Sequence, residues 1–544
     1  DKWKQPVGYY LSSGPIEGKK LKSLLLDAIS SIKQSGLQPK VLICDQGSNN
    51  CLMLRQLGVS KENPFFTDHE GTKVFVLYDP PHLIKNTRNN MKKHGFTLNG
   101  KSIKWSFIRD LYKFDHPRNI RMAPKLTSKH INVPAFKTMS VKLATQVLSH
   151  TVAASIEAMH DLGKWEGDQD AKATAQFIEN MDCLFNVFNS RSLHDSHIFR
   201  KGIIPNSPHL PFLDECMEWL PHLKQIGKPQ GKQLPSILGW QHNISCLKML
   251  WDELKIEGFD CLLTNRLNQD RLENFFAQIR YKGGHRINPD TVQFNAAYRQ
   301  VALDNIFVPI PGKNCQDDID EFLIGVESLT SNVTEMGPTN QPSMQEPTNC
   351  HVATNVVDIN TDDFSSNEIC SEVRSSHGVP ENWQDQNVIA YIAGYLIHKA
   401  RSKHQSDICN GCSTSWDISP DSASTNDYIF LHHKKYSFAS PDQGLVFPHK
   451  NMIDLVSDME SCFVQNSSLI IQSQNVFKQL REKLMSLDKC QVVVCGLNGC
   501  QTALKFMVQL FCKLRLHHFL KEQNSKMSEP HQKRNRKMLT LSHL

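Results

Sequence analysis

The chain has 544 residues, 40% of them hydrophobic and 27 of them Phe, and its formal net charge is +6. Single cores rarely grow beyond roughly 250–300 residues, so more than one domain is expected. No apolar run approaches the ~20 residues that span a bilayer, and the N-terminus has no apolar signal stretch, so no membrane partner is predicted. The 16 Cys are therefore interpreted as reduced thiols.

The first hundred residues have the pattern of an α/β sheet domain. Residues 7–11 are a short strand candidate, and residues 21–32 have the spacing of an amphipathic helix. Residues 41–44 and 74–78 are apolar strand candidates. Because strands and a helix alternate here, the expected fold is an α/β sheet.

Long amphipathic helical patterns follow, over 139–160 and 171–188. They predict an all-α domain over 103–245 that is inserted into the sheet domain. The helices of 246–305 then return to complete the sheet domain.

Residues 306–380 lose periodicity and are rich in Asn, Thr, Ser, Pro and acids, which predicts a disordered acidic linker. Within it, residues 311–380 carry twelve acidic residues and two basic ones, which leaves about +16 on the rest of the chain. A basic body favours a polyanionic partner such as DNA, although a soluble, mildly basic protein is the alternative. Helical periodicity resumes over 381–525.

The basic tail, residues 526–544, contains Lys533-Arg534-Asn535-Arg536-Lys537. Such a run is typical of a nuclear localisation signal or a phosphate-binding arm. The alternative is a solvated terminus.

Three carboxylates are the candidate catalytic residues. Asp45 directly follows the apolar strand 41–44, whereas Asp270 and Glu273 are three residues apart in a helical pattern and can share one helix face. Charged groups on an otherwise apolar helix need a cationic partner, and oxygen ligands favour Mg²⁺ or Mn²⁺. A strand-end Asp with a helix-borne Glu is typical of RNase H-like nucleases and transposases. The alternative is a strand-end cap and a solvated helical pair.

Four segments, in this order, resemble the P element family of DNA transposases, which includes the THAP-type transposase-derived proteins. They are WKQPV at 3–7, DPPHLIKN at 79–86, KLT at 125–127 with MSVKLA at 139–144, and the segment 270–284. The resemblance implies an RNase H-like core over 1–102 and 246–305. It further implies that a helical, GTP-binding-like insertion domain over 103–245 interrupts this core, and that a mostly helical domain over 381–525 follows the linker.

By this resemblance, Asp45 and Glu273 are metal ligands and the second and third catalytic acids, and Asp270 is an auxiliary polar residue. The family's first catalytic Asp precedes the segment 3–7, so we expect the first strand and the zinc-coordinating DNA-binding module to be missing from this chain. If the site is completed upstream, the implied function is metal-dependent DNA cleavage and strand transfer at transposon ends, by a nuclear homo-oligomer that also binds target DNA. The alternative is a catalytically inactive, domesticated DNA- and nucleotide-binding protein.

The resemblance also implies a nucleotide site near Lys142, Asp182, Phe185 and Asn186, with Lys142 on phosphate and Phe185 stacked on the base. The family favours Asp at the Asn186 position, where a carboxylate accepts from both guanine donors and an amide offers one acceptor oxygen. The nucleotide is therefore GTP or another purine nucleotide. Residues 14–20 are a near miss to a P-loop and do not support the site. The alternative is that Phe185 is a core residue.

Cys409 and Cys412 have the spacing of half a zinc knuckle. His404, His432 or His433 could complete such a Zn²⁺ site, although the sequence contains no second Cys-x-x-Cys. Free thiols in a loop are the alternative. The remaining C-terminal cysteines lack ligand spacing and are interpreted as small core residues; they are Cys490, Cys495, Cys500 and Cys512.

Overall fold

The computed structural model describes most of the chain. The described residues are 3–134, 137–195, 197–227, 233–282, 289–304, 321–322, 383–423, 426–435, 445–470 and 475–541. The predicted acidic linker 306–380 lies outside them, apart from residues 321–322. The chain divides into two compact units: 1–79, 245–250 and 267–363 in the first, and 80–244, 251–266 and 364–544 in the second.

Short strands alternate with helices in the first part of the chain, and helices follow. The strands are β1 (Trp3–Lys4), β2 (Val41–Cys44), β3 (Phe65–Thr67), β4 (Lys73–Tyr78), β5 (Phe96–Leu98), β6 (Lys101–Ile103), β7 (Lys224–Gln225) and β8 (Glu321–Phe322). The helices before the linker are α1 (Gly18–Gln34), α2 (Ser48–Gln56), α3 (Pro80–His94), α4 (Trp105–Asp115), α5 (Ser128–Ile131), α6 (Val141–Val147), α7 (His150–Asp161), α8 (Gln169–Val187), α9 (His209–Trp219), α10 (Pro235–Ile256), α11 (Asp270–Lys282) and α12 (Thr291–Asp304). The helices after it are α13 (Trp383–His404), α14 (Asn410–Ser415), α15 (Ile429–Lys434), α16 (Lys450–Ile470), α17 (Val476–Met485), α18 (Lys489–Val492) and α19 (Asn498–Leu541).

The first unit contains a three-stranded sheet of order β2-β4-β3, in which β4 is parallel to β2 and antiparallel to β3. The central strand β4 is buried on both faces, since Val74 to Leu77 are at most 1% exposed. Helices α1 and α2 contribute Ile29, Met53 and Leu54 to its core. Full burial of one such side chain contributes about 1.5–3 kcal/mol to folding. The buried sheet therefore holds the ends of β2 and β4 in place.

The strand predicted for residues 7–11 is wrong, because residues 5–12 form no regular element. One of the two aromatic residues of this run packs on a helix instead: the ring of Tyr9 lies 4.7 Å from that of Tyr298 on α12. The Tyr9 hydroxyl donates to Asn295 Oδ1 at 2.8 Å. In a half-buried strand, alternate side chains are buried on one face. Val7, which would share a face with Tyr9, is instead 63% exposed.

The second unit begins at Pro80 and is helical with one small sheet. The sheet has the order β6-β5-β7, and all its pairs are antiparallel. Strands β5 and β6 form a hairpin around Asn99 and Gly100, which both have positive φ (50° and 79°). Asn-Gly is the preferred pair for such a two-residue turn. The all-α description of the insertion is therefore incomplete, because β7 lies within 103–245 and pairs with this hairpin.

The C-terminal helices also belong to the second unit. Helix α13 packs on α16 and α19, and α17 packs on the same two helices. Helix α15 packs on α7 and so joins the C-terminal helices to the insertion. In the part of the chain that the structure describes, no helix combines the length and the apolar composition needed to cross a membrane.

Candidate metal, nucleotide and cysteine sites

Asp45 lies directly after β2, in the short connection that leads into α2. Its Oδ1 accepts hydrogen bonds from the backbone N–H of Gly47 at 2.8 Å and from Asn50 Nδ2 at 2.7 Å. A Cβ on residue 47 would lie 2.9 Å from Asp45 Oδ1, so glycine permits this close approach. These contacts hold a half-buried carboxylate at the carboxyl end of a parallel strand.

Asp79 takes the equivalent position after β4. Its N–H donates to Cys44 O at 2.9 Å, which continues the ladder between the two parallel strands. Its side chain is 1% exposed, and Oδ1 accepts from the backbone N–H of Gln269 at 2.7 Å. Asp79 therefore connects the edge of the sheet to the residue that precedes α11. Sequence reasoning missed this role; the strand-end position of Asp79 was the available signal.

Helix α11 carries both predicted acids in its first turn and Arg280 and Lys282 in its last turn. This distribution of charge complements the helix dipole. The backbone N–H of Asp270 donates to Asn268 Oδ1 at 3.1 Å, which fixes the start of the helix. The inner face packs through Phe275 and Ile279 on α12.

Two apolar residues of α11 lie on its outer face. Leu272 and Phe276 are 49% and 40% exposed, so they do not anchor the helix in the core. Asp270 and Glu273 are both half-buried.

The structure thus places Asp45, Asp79 and the start of α11 in one compact unit. Carboxylate oxygens suit Mg²⁺ and Mn²⁺, so the donor chemistry of Asp45 and Glu273 fits such an ion. Among the described residues, however, Asp45, Asp270 and Glu273 do not form a group of three ligands close enough to share one ion.

Three of the predicted nucleotide residues lie on α8. Asp182, Phe185 and Asn186 have the spacing of one helix face. Asn186 is 8% exposed and donates through Nδ2 to Asp182 Oδ2 at 3.1 Å. Arg200 Nε donates to Asn186 Oδ1 at 3.4 Å. The Asn186 amide is therefore already engaged by protein groups on both sides.

Burial raises the pKa of the Asp182 carboxyl, and the nearby positive charge of Arg200 partly opposes that rise. Phe185 is half-buried, so part of its ring is available for contact. Lys142 lies on a different helix, α6, and is exposed. Within the described ranges, no hydrogen bond or ion pair joins its side chain to the three residues on α8. The structure thus brings together Asp182, Phe185 and Asn186 on one helix, whereas Lys142 lies on another helix.

Four cysteines of the second unit converge: Cys409, Cys412, Cys495 and Cys500. Their Sγ atoms all lie within 4.8 Å of one another. The prediction of a histidine ligand is wrong for this group, since His404 bonds to Asp407, His432 to Ala423 O, and His433 to Glu157 and Asp161. Cys500 is buried, as interpreted, and Cys495 is half-buried; the interpretation missed that both lie beside Cys409 and Cys412. The pair Cys409 and Cys412 is separated by at least 83 residues from the pair Cys495 and Cys500. No local sequence pattern shows that pairs so far apart come together.

Backbone groups surround these sulfur atoms. Cys409 Sγ accepts from the N–H of Cys412 at 3.4 Å, and this bond is the largest of the effects that lower the pKa of Cys409 to about 7. Cys412 Sγ accepts from the N–H of Cys495 at 3.2 Å, and Cys500 Sγ accepts from the N–H of Cys409 at 3.3 Å.

Three family models match: "TNP-like, RNase H N-terminal domain" over residues 1–58, "TNP-like, GTP-binding insertion domain" over 81–201, and "TNP-like, RNase H C-terminal domain" over 265–299. The first and third cover Asp45 and α11, and the second covers the α8 residues. The chain therefore contains an RNase H-like domain interrupted by a GTP-binding insertion domain.

Two curated proteins are similar to the chain in sequence. The Transposable element P transposase of Drosophila melanogaster is 30% identical over 310 residues, which are 55% of this chain and 39% of that protein. The DNA transposase THAP9 of Homo sapiens is 23% identical over 563 residues, which are 94% of this chain and 57% of that protein.

The chain thus spans less than two thirds of the length of either relative. Among solved structures, the Drosophila P element transposase strand transfer complex is 28% identical and matches 53% of this chain and 64% of its own, with a TM-score of 0.48. The three domain models and the two relatives agree, and together they support a P element-type transposase family for the chain.

Proposed function

We propose that this protein is a transposase-derived DNA-binding protein whose RNase H-like domain carries out metal-dependent cleavage and strand transfer of DNA. The observation that supports this most directly is the hydrogen bond between Asp79 and Gln269, at 2.7 Å. It joins the edge of the sheet that carries Asp45 to the helix that carries Glu273. A strand-end Asp and a helix-borne Glu in one unit are two of the ligands that this chemistry uses.

Asp45 and Glu273 would supply the oxygen ligands of Mg²⁺ or Mn²⁺. A bound divalent ion supplies activation of the attacking water or 3′-hydroxyl and stabilisation of the leaving oxygen. Gly47 and Asn50 orient the Asp45 carboxylate, and Asp79 positions the first turn of α11. Asp270, beside Glu273 in that turn, would act as an auxiliary polar residue.

The test is a DNA-joining assay in Mg²⁺ or Mn²⁺. It measures the rate at which the protein joins a labelled duplex, which has a free 3′-hydroxyl, to a plasmid. Asp45→Asn and Glu273→Gln should each lower the rate by about two orders of magnitude or more, the scale of losing one electrostatic contact to a transition state. Asp27→Asn, which changes an exposed acid on α1, is the control and should leave the rate unchanged. DNA binding should be equal in all four proteins. Equal joining by Asp45→Asn and the unchanged protein would refute the assignment.

A second candidate function is a catalytically inactive DNA- and nucleotide-binding protein. It is favoured by one observation, namely that the described residues gather no group of three carboxylates for a shared ion. The same assay separates the two functions. Tight DNA binding without cleavage or joining in either metal would support the inactive protein and contradict the proposal above.

We further propose that the insertion domain binds a purine nucleotide at the exposed part of Phe185, with the Asp182 carboxylate as acceptor for the base. Since the Asn186 amide is held between Asp182 and Arg200, it offers little to discriminate guanine from adenine. Isothermal titration should therefore show similar affinities for GTP and ATP. Phe185→Ala should weaken the affinities for GTP and for ATP about tenfold, which is the scale of one stacking contact.

The matched control for nucleotide binding is Tyr281→Ala, which removes an exposed aromatic side chain of the first unit. Asn186→Asp should raise the preference for GTP over ATP, because a carboxylate accepts from both guanine donors. Equal binding by Phe185→Ala and the unchanged protein would place the nucleotide elsewhere.

The partners of the protein are proposed on the same basis. DNA ends and target DNA are the substrates, and two ends must be held together, so a homo-oligomer is expected. The basic tail would direct the protein to the nucleus; helix α19 continues through most of this tail, to Leu541.

A further inference from the structure

The cysteine cluster of the C-terminal helices takes no part in the chemistry proposed above. Its ligand atoms come from two distant segments: Cys409 and Cys412 precede and begin α14, and Cys495 and Cys500 flank the start of α19. We propose that these four thiolates bind one Zn²⁺ ion, which acts as a structural site that joins the two segments.

The distances between the sulfur atoms fit a single tetrahedral ion. Zn–S bonds of about 2.3 Å in a tetrahedron place the sulfurs about 3.8 Å apart. Cys409 Sγ lies 3.6 Å from Cys495 Sγ, and all four Sγ atoms lie within 4.8 Å of one another. Four sulfur ligands in this arrangement favour zinc over Mg²⁺, Ca²⁺ or Mn²⁺, which prefer oxygen.

The backbone around the cluster is arranged for thiolates. Three of the four sulfur atoms accept a main-chain N–H, at 3.2 to 3.4 Å. Four thiolates and one Zn²⁺ have a net charge of −2, and hydrogen-bond donors around the ligands stabilise such a charge. Two of these bonds cross between the segments, since Cys495 donates to Cys412 and Cys409 donates to Cys500. The donors and the ligands thus belong to the same two segments.

Neighbouring contacts hold both segments at this distance. A Cβ at Gly499 would overlap Asp407 O, so only glycine permits the backbone before Cys500 to approach the backbone before Cys409. Trp416 is fully buried, and its Nε1 donates to Val493 O at 2.6 Å. These contacts fix the chain on both sides of the cluster.

Other uses of four cysteines fit the geometry less well. A disulfide requires a sulfur–sulfur distance of about 2.05 Å, and the bonded pair would leave the N–H donors without thiolate acceptors. A cluster of several irons would hold its cysteines farther apart than a single ion does. Four neutral thiols would not need three N–H donors. A single ion accounts for the distances and the donors together.

The test is the metal content of the purified 544-residue chain, measured by mass spectrometry after dialysis against metal-free buffer. The expected result is one zinc per chain, lost in both Cys409→Ser and Cys495→Ser. Cys462→Ser is the matched control, because Cys462 is half-buried on α16 of the same helical region and lies outside the cluster. It should keep the zinc. A chain without zinc, or a Cys495→Ser variant that keeps it, would overturn the proposal.

A second measurement needs no variant. Removal of zinc from the unchanged chain with a chelator should lower the melting temperature, and added Zn²⁺ should restore it. Replacement by Co²⁺ should give the visible absorption of a tetrahedral thiolate complex. Stoichiometric iron, or an intact mass that shows disulfides in place of zinc, would contradict the assignment.

Discussion

At the scale of single residues, the carboxylate of Asp79 joins positions that are 190 residues apart in sequence. A strand-end acid is usually considered for metal binding, yet this one is 1% exposed and accepts from a backbone N–H. We therefore regard Asp79 as a positioning residue for α11. Its neighbour in the sheet, Asp45, is more accessible and suits a ligand.

The role of Asp79 makes a residue-scale prediction. Asp79→Ala removes the acceptor of a buried hydrogen bond and should lower the free energy of unfolding by about 1–3 kcal/mol. It should also lower the rate of DNA joining, because α11 loses one of its fixed points. Asp79→Asn keeps the Oδ1 acceptor and should restore most of that rate. If Asp79→Asn and Asp79→Ala are equally impaired, the residue has a role that depends on its charge.

At the scale of elements, the start of α19 lies close to the segment before α14, and the backbone of Gly499 is the point of closest approach. Gly499→Ala should force the two segments apart, at a cost of about 1–3 kcal/mol, the usual range for overpacking. The variant should melt at a lower temperature and bind zinc more weakly.

The matched control for this change is Gly496→Ala. A Cβ there meets no atom within 4 Å, so it should have little effect on either quantity. Identical melting temperatures for Gly499→Ala and Gly496→Ala would show that the close approach does not matter.

His433 contributes to the contact between α15 and α7, since its two ring nitrogens lie 2.9 Å from Glu157 Oε2 and 2.8 Å from Asp161 Oδ2. Burial lowers the pKa of His433, but the two carboxylates raise it further, and the net pKa is above its usual value. The pKa of Asp161 is held at about 2, chiefly by His160, Lys172 and His433 against the effect of burial, so it stays ionised at neutral pH.

A histidine whose folded pKa is raised contributes stability that is fully present below its unfolded pKa, about 6.5, and is lost as pH rises through the folded value. The difference in unfolding free energy between the unchanged chain and His433→Gln should therefore shrink as pH rises above about 6.5. Denaturant titrations across this range measure it. His517→Gln, an exposed histidine on α19, should show no such trend. A difference that grows with pH would contradict the ion pairs.

The sequence predicted the elements whose signal is local. The apolar runs at β2 and β4 and the helical spacing of α8 and α11 were recovered within a few residues. Asp45 and Glu273 could be selected as candidate metal ligands because Asp45 directly follows such a strand and Glu273 lies on the face of such a helix. The strand proposed at residues 7–11 failed because Tyr9 packs on α12, a contact between distant parts of the chain. The proximity of Cys409 and Cys412 to Cys495 and Cys500 was missed for the same reason, because it too is a contact between distant parts of the chain.

At the scale of the whole molecule, charge is segregated. The acidic stretch 311–380 leaves about +16 on the remaining residues, which suits a polyanionic partner. The two compact units each carry one of the proposed functions: the carboxylates lie in the first, and the nucleotide and cysteine sites lie in the second.

This charge predicts strongly salt-dependent DNA binding. The logarithm of the affinity for a duplex should fall linearly with the logarithm of the salt concentration, with a slope of about −0.9 for each phosphate contacted. Fluorescence anisotropy with a labelled duplex measures this slope. A series in which glucose replaces salt at equal osmolality is the control and should not reproduce the loss. An affinity that does not depend on salt would exclude an electrostatic DNA interface.

The central claim is that Asp45 and Glu273 bind the same divalent ion, and iron-directed cleavage of the protein backbone tests it most directly. Fe²⁺ replaces Mg²⁺ at such a site and, with ascorbate and peroxide, cuts the chain next to the ligands. We expect cuts near Asp45 and near Glu273, suppressed by excess Mg²⁺ and lost together in either Asp45→Asn or Glu273→Gln. Cuts at one position only, or cuts that persist at Glu273 in Asp45→Asn, would show that the two carboxylates do not share an ion.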